Sequence, residues 1–350
     1  MTIRTDTTHP AETVDHQPRR LGPTGQFAGI SVGGWRLAWL VLGVAVAVAL
    51  PFFVKNFTVF QLTQALVYAI AILGLNLLTG FNGQFSLGHS AFYAIGAYTA
   101  AILMDRYEVP YWATLPPAGV ICLIVGFLFG LPALRLEGLY LALATFALAV
   151  ATPQLLKFTP IEEFTGGVQG IVILKPDAPF GLPLSPDQWL YFFTLFVVAV
   201  LFTCAACLIR SRTGRAMMAI RDNPIAAKSM GIDTAMYKSL TFGVSALYTG
   251  VAGALGAIVV QFVAPDSFTF LLAITFLVGL VVGGVGSIPG AIFGGLFVLF
   301  MPNISESIAE DVKGLTWAIY GVLLILVIYV MPTGAAGLAR LVAHRLMRRG

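Results

Sequence analysis

The sequence predicts an all-α, polytopic membrane protein, and three observations carry that prediction. First, 58% of the 350 residues are hydrophobic and only 10% are charged, with a mean hydropathy of +0.89. A soluble domain carries roughly a quarter of its residues as charges. Second, the chain is built of charge-free apolar runs of the length that crosses a bilayer, about 20 residues. Third, Lys and Arg fall unevenly on the two sides of the membrane once those runs are threaded. The net charge of +4 flanks apolar segments, where topology accounts for it, so the lipid bilayer and not a nucleic acid is the expected partner.

In chain order, residues 1–36 are polar, with Pro, Thr, Gly and mixed charge, and are expected to form a disordered cytoplasmic tail. Arg19-Arg20 stands too far upstream of the first apolar run, and is too weakly patterned, for a cleaved signal. The first span is therefore read as an uncleaved anchor. Apolar runs near 37–54, 58–80, 89–104, 111–134, 138–156, 188–209, 239–262, 268–285, 287–302 and 314–332 give about ten transmembrane helices within a permease domain of 37–335. The pair 268–285 and 287–302 is short, and the hinge GGVGSIPG at 283–290 admits a re-entrant reading, eight spans plus two half-helices. Broken backbone at membrane depth requires protein or a water-filled cavity around it. A basic cytoplasmic tail, 336–350, follows.

Threaded from a cytoplasmic N-terminus, the inside segments hold 15 of the 20 Lys and Arg residues, and the outside ones hold Lys55, Arg106, Lys157, Lys175 and Lys313. Loops rich in Lys and Arg stay cytoplasmic, so this orientation is preferred and puts the C-terminus inside as well. Gly250, Gly253 and Gly256, Gly279-xxx-Gly283 and Gly290-xxx-Gly294 permit close helix approach, within one bundle or between subunits.

Two polar loops stand out. Loop 157–187, expected outside, is net acidic by two and carries the flexible run TGGVQG at 165–170. Loop 210–238 holds Arg210, Arg212, Arg215, Arg221, Lys228 and Lys238 against Asp222 and Asp233, which keeps it cytoplasmic. Its middle reads as a short helix with Ala216, Ala219, Ala226, Ala227 and Gly231 on one side, a handle for a soluble partner. A third stretch, NLLTGFNGQFSLGH at 76–89, places Asn76, Thr79, Asn82, Gln84, Ser86 and His89 in an uncharged segment interrupted by Gly80, Gly83 and Gly88. Polar groups at membrane depth are costly and face cavities or partners, and a broken helix offers free backbone groups to a solute. The stretch is either a pathway lining or a cytoplasmic turn, and His89 either a satisfied interfacial residue or a proton relay.

No catalytic residue is assigned. No acidic residue lies well inside a span, Asp266 near the end of one being the single exception, and coupled carriers usually need such groups. No G-x-x-x-x-G-K-[ST] loop occurs. Cys204 and Cys207 are C-x-x-C-spaced without a second pair or a nearby His, so no metal site is expected. Cys122, Cys204 and Cys207 read as small buried hydrophobes. If solute moves uphill, the energy comes from another chain.

Residues 73–101, LGLNLLTGFNGQFSLGHSAFYAIGAYTAA, resemble the permeases of branched-chain amino-acid ABC importers. Residues 138–171 and the loop GRAMMAIRDNPIAAKSMGID resemble their M-type member more than the shorter H-type partner, and the similarity runs through GLVVGGVGSIPGA to cover roughly 60–335. The resemblance implies the ABC importer permease fold in a bacterial plasma membrane. It also implies a second, H-type permease, two cytoplasmic ATP-binding subunits that hold ATP and Mg, and an extracytoplasmic solute-binding protein. This chain would bind no cofactor of its own. The family's E-A-A-x-x-x-G coupling motif is matched by residues 225–231, IAAKSMG, with Ile225 in place of Glu. Arg215, Arg221, Asp222, Ala226, Ala227 and Gly231 become the expected coupling residues, with Arg221 and Asp222 the candidates for the polar contact to the ATPase. Urea and short-amide importers share the pattern. A self-sufficient passive channel, with the basic loop serving only topology, is the reading from a different class.

Overall fold

The computed structural model describes residues 43, 45–134, 136, 138–178, 184–308, 315–331 and 334–337. The chain divides into two units, Met1–Ala49 and Leu50–Gly350. Of the first, residues 43 and 45–49 are helical, while the tail expected over 1–36 and most of the first span lie outside the described residues. The tail expected at 336–350 lies almost wholly outside them too.

In the second unit, every apolar run from 58–80 onward is realised as helix. Helix α1 (Asn56–Leu75) runs on into a π-helix (Asn76–Phe81). Then come α2 (His89–Tyr107), α3 (Leu115–Ala133), α4 (Leu139–Leu156), the short α5 (Thr159–Thr165), strand β1 (Ile171–Val172) and α6 (Pro186–Arg210). The polar segment forms α7 (Arg212–Asp222) and α8 (Pro224–Ser229), followed by α9 (Thr234–Val260), strand β2 (Phe262–Val263), α10 (Phe270–Gly283), α11 (Gly290–Ile308) and α12 (Leu315–Val330). Among the described residues five stretches, Asn56–Phe81, Tyr111–Pro132, Leu139–Leu156, Pro186–Arg210 and Thr234–Val260, are long and apolar enough to cross a membrane, and shorter apolar helices accompany them. At 14 residues α10 is about 21 Å long, short of a hydrocarbon core of about 30 Å. The protein is thus helical and polytopic as its composition predicts. Among the described residues the departure from an all-α chain is a two-residue antiparallel pair, Ile171 opposite Val263 and Val172 opposite Phe262.

Helix α9 is the axis of the unit. In its most apolar stretch 83% of residues are buried, and 72% in that of Asn56–Phe81, against 22% in α6, the least covered of the five long apolar stretches among the described residues. The reason is in the spacing of small residues on α9: Ser239, Gly243, Ala246, Gly250, Gly253 and Ala257 recur every three or four positions. Small residues let backbones approach where no water drives association. A Cβ added at Gly96 of α2 would overlap the Gly250 carbonyl, one at Gly126 of α3 would overlap Ala246, and one at Gly74 of α1 would lie 2.8 Å from the Ser245 carbonyl.

The two GxxxG pairs serve the same end. A Cβ on Gly294 would overlap the Gly279 carbonyl, and Gly283 and Gly290 collide in the same way in both directions. The pairs therefore face each other within the chain and close α10 and α11 into a hairpin. Backbone cannot yield as a side-chain tip does, and overpacking costs about 1–3 kcal/mol even where side chains can shift. Gly294→Val is expected to part the hairpin and reduce full-length protein in the membrane several-fold, measured by quantitative immunoblot of washed membranes.

The two polar loops lie at opposite ends of the bundle. At one end, loop 157–187 is held by β1–β2 and by a Lys157–Asp266 ion pair of 2.6 Å. At the other, segment 210–238 contacts the π-helix and the 283–290 turn.

Candidate functional site

The polar segment is built by its own short side chains. Ser211, Asn223 and Asp233 each cap a following helix: Ser211 Oγ accepts from Gly214 N, Asn223 Oδ1 from Ile225 N and Ala226 N, and Asp233 Oδ1 from Ala235 N and Met236 N. Where one short helix is expected, the chain forms two. Pro224 disfavours helical geometry at the residue before it, and Asn223 takes φ −158°, ψ 101°, the extended conformation of an N-cap.

This segment meets the uncharged polar stretch directly. The Arg221 guanidinium turns inward, where Nη1 donates to the Gly80 carbonyl at 3.0 Å, while Nε and Nη2 donate to Asp222 Oδ1 at 3.0 and 2.9 Å. Gly83 makes room for it: its φ is +76°, and a Cβ there would lie 2.9 Å from Arg221 Cγ. Gln84 Nε2 donates to the Lys238 carbonyl at 3.1 Å, and Thr79 Oγ1 donates to the Gln84 carbonyl at 3.0 Å. Asn76 is a two-sided clamp. Its Nδ2 donates to the Ser287 carbonyl and its Oδ1 accepts from Gly286 N, both at 2.8 Å. One knot thus joins the π-helix, the α10–α11 turn and both ends of the segment 221–238. π-turns inside helices concentrate at functional sites.

His89 is 1% exposed and fully satisfied. Ser245 Oγ spends its proton on the Gly74 carbonyl at 2.6 Å, so it must accept from His89 Nε2 at 2.7 Å. The ε-protonated neutral ring then leaves Nδ1 to accept from Ser86 Oγ, 3.2 Å away, by the donor and acceptor counts of imidazole and hydroxyl. Asn82 is 2% exposed, and neither of its side-chain polar atoms has a partner among the described residues.

The remaining coupling candidates face outward or hold the backbone. Arg215 Nη1 returns to the Arg210 carbonyl at 3.0 Å. Gly231 has φ +83° and ends α8, a conformation that favours glycine. Ala226 is exposed whereas Ala227 is 5% exposed, so the two alanines do not share a face. The most exposed large apolar side chains of the segment are Ile225 and Met230, at 80% and 84%, ahead of Met236 at 52%. The expected emphasis on the alanines missed this pair. The signal available was Ile225 itself, an aliphatic residue in the first position of a polar turn.

At the opposite end lies a pocket of about 180 Å³, the room of about six waters. Its walls include Gln64 and Tyr68 of α1, Tyr93 of α2, Phe262 of β2, Ser267 and Phe268. Gly253 and Gly256 seat Tyr93, for a Cβ on either would overlap its backbone carbonyl or its hydroxyl. No pocket-lining residue belongs to the set expected from sequence. Gln64 was legible as a polar residue inside an apolar run, with Tyr68 four positions on and so on the same helix face.

With this geometry in view, comparison with known proteins gives a consistent result. The family model described as the branched-chain amino acid transport system permease component matches residues 57–328. The high-affinity branched-chain amino acid transport system permease protein LivM of Escherichia coli (strain K12) is 34% identical over 325 residues, covering 86% of this chain and 75% of that protein. BraD of Pseudomonas aeruginosa, named as a permease of the same kind of system, is 27% identical over 79% of this chain and 93% of its own. LivH of Salmonella typhimurium is 25% identical over 79% of this chain and 92% of its own. No solved structure matches. The chain belongs to the branched-chain amino acid transport system permease family.

Proposed function

We propose that this chain is the membrane permease subunit of an ATP-driven ABC importer and forms part of the path for leucine, isoleucine and valine. A second permease of the H type, two cytoplasmic ATP-binding subunits carrying ATP and Mg, and an extracytoplasmic solute-binding protein complete the machine. It sits in a bacterial plasma membrane with both termini cytoplasmic, the orientation favoured by the excess of Lys and Arg in loop 210–238 and the terminal segments.

The observation that carries the reading is the exposed apolar pair Ile225 and Met230 on a segment tied through Arg221 and Gln84 to a broken helix. Isolated charges and polar groups would suffice for a loop that only sets topology. Two large apolar side chains held in water by a capped two-helix turn fit a socket on a soluble partner, and a few anchors seated in desolvated pockets carry most of the energy of such joints. Closure of the ATP-binding subunits would push α8. Arg221 would pass the push to the Gly80 carbonyl, and Asn76 would pass it to the α10–α11 turn.

The test is reconstitution of the complete complex in liposomes with labelled leucine, isoleucine and urea. ATP-dependent uptake of leucine and isoleucine, and not of urea, is the expected result. ATP-dependent uptake of urea alone moves the assignment to the urea and amide importers. Solute flux through this chain purified alone, without ATP, replaces it with a passive channel.

A further inference from the structure

We propose that the pocket between α1, α2, α9 and the 262–272 segment is a solute subsite for the ammonium end of a small apolar amino acid. This deepens the proposed function and rests on it. Three independent features point to such a ligand.

The first is the Gln64 carboxamide oxygen. The oxygen is buried and has no hydrogen-bond partner among the described residues, while the same carboxamide hydrogen-bonds the Tyr68 side chain, and both residues line the pocket. An acceptor left unpaired at membrane depth costs free energy, and a bound N–H donor removes that cost. The second is the aromatic wall. Tyr68 and Tyr93 stand edge to face with centroids 6.5 Å apart, Tyr93 and Phe268 are 6.0 Å apart, and Phe276 backs both tyrosines at 5.6 and 5.5 Å. Tyr68, Tyr93 and Phe268 line the cavity, and aromatic rings can attract an ammonium through the ring quadrupole without a fixed counter-charge. The third is what the wall leaves out: no Asp, Glu, Lys or Arg lines the pocket, and Val260 and Leu272 do. An aliphatic side chain is accepted there, and a second ammonium, as on lysine, has no carboxylate in the lining to pair with. A site without a buried counter-ion also holds its solute weakly enough to release it, as conduction requires.

The pocket is mechanically linked to the surface. Phe262 and Val263 form one wall and pair with Ile171 and Val172 of loop 157–187, while Gln261, just before them, accepts from Ile173 N at 2.8 Å. A protein that pulls on the loop therefore moves the wall of the site.

The experiment uses the complete complex in proteoliposomes, with Cys204→Ser and Cys207→Ser as background because those thiols are exposed on α6. Ser267→Cys adds a thiol at the exposed edge of the pocket. A membrane-impermeant thiol reagent is applied outside with leucine, lysine or no amino acid present at millimolar concentration. Leucine should slow labelling at least threefold and lysine should not. In parallel, Gln64→Leu should lower leucine uptake about tenfold or more, the effect of losing one hydrogen bond to a charged group, with ATP hydrolysis retained. Equal labelling rates in all three conditions, together with uptake by Gln64→Leu within twofold of the parent, overturn the subsite. Should Gln64→Leu fail to reach the membrane, the Ser267→Cys labelling decides alone. If the parent complex does not take up leucine at all, the proposed function falls and not merely this pocket.

Discussion

Ile225→Asp is expected to abolish leucine uptake while the permease remains in the membrane at its normal level. Ile225 is 80% exposed and contributes little to its own chain's packing, so the substitution leaves folding nearly untouched. Surface changes away from special features cost within about 0.5 kcal/mol. At the joint the effect is of another order. A carboxylate pressed into an apolar socket loses water without gaining a partner, and truncating or charging an anchor residue costs about 2–4 kcal/mol of association. That corresponds to roughly 30- to 1,000-fold weaker docking. Co-purification of the ATP-binding subunit should fall with uptake, at constant permease yield on immunoblot. Normal uptake by Ile225→Asp would remove α8 from the coupling joint. Ala227→Asp, the substitution the motif alone recommends, is a poorer probe. Ala227 is 5% exposed, so its loss of transport would mix a broken joint with a disturbed fold.

That difference between neighbouring alanines shows where sequence reading stops. The spans were legible because a charge-free run of about 20 residues has one stable solution in lipid, with every backbone group bonded within its own segment. The close approach of helices was legible from Gly279, Gly283, Gly290 and Gly294, but not the partner of each. Only the folded chain shows that the two pairs face one another. Side-chain direction on a six-residue helix was not legible. Pro224 resets the helix start, and adjacent residues on a helix do not share a face. The strand pair β1–β2 is two residues long, too short for any alternation to register. Arg221 is read as a contact for the ATPase, and the fold adds that its guanidinium is bonded to Gly80 and Asp222. Nothing in the linear pattern links positions 80 and 221, since that contact depends on Gly83 taking a positive φ and leaving the space.

Asn76→Leu is the second large effect, and it should act through the knot rather than through the partner surface. Leucine keeps the branched outline of Asn76, which is 1% exposed, at a larger volume, and removes both its hydrogen bonds. Gly286 N and the Ser287 carbonyl, each 2.8 Å from the present carboxamide, are then left with no side-chain partner at membrane depth. Each unpaired buried group costs about 1–3 kcal/mol, so the pair is worth roughly 2–6 kcal/mol. The melting temperature of the purified complex should fall on the order of 10 °C, read by a thermal-shift assay, with a matching fall in yield. Asn76→Asp separates the two halves of the clamp. Its carboxylate keeps an acceptor for Gly286 N but offers no donor to Ser287, and it adds a charge where water is scarce. It should therefore be at least as destabilising as leucine near neutral pH, and should recover part of the loss as the pH is lowered and protonation restores a donor. Unchanged melting in both variants would mean that the turn at 283–290 is held by α10 and α11 alone. In that case Asn76 would carry no force from the coupling segment to the hairpin.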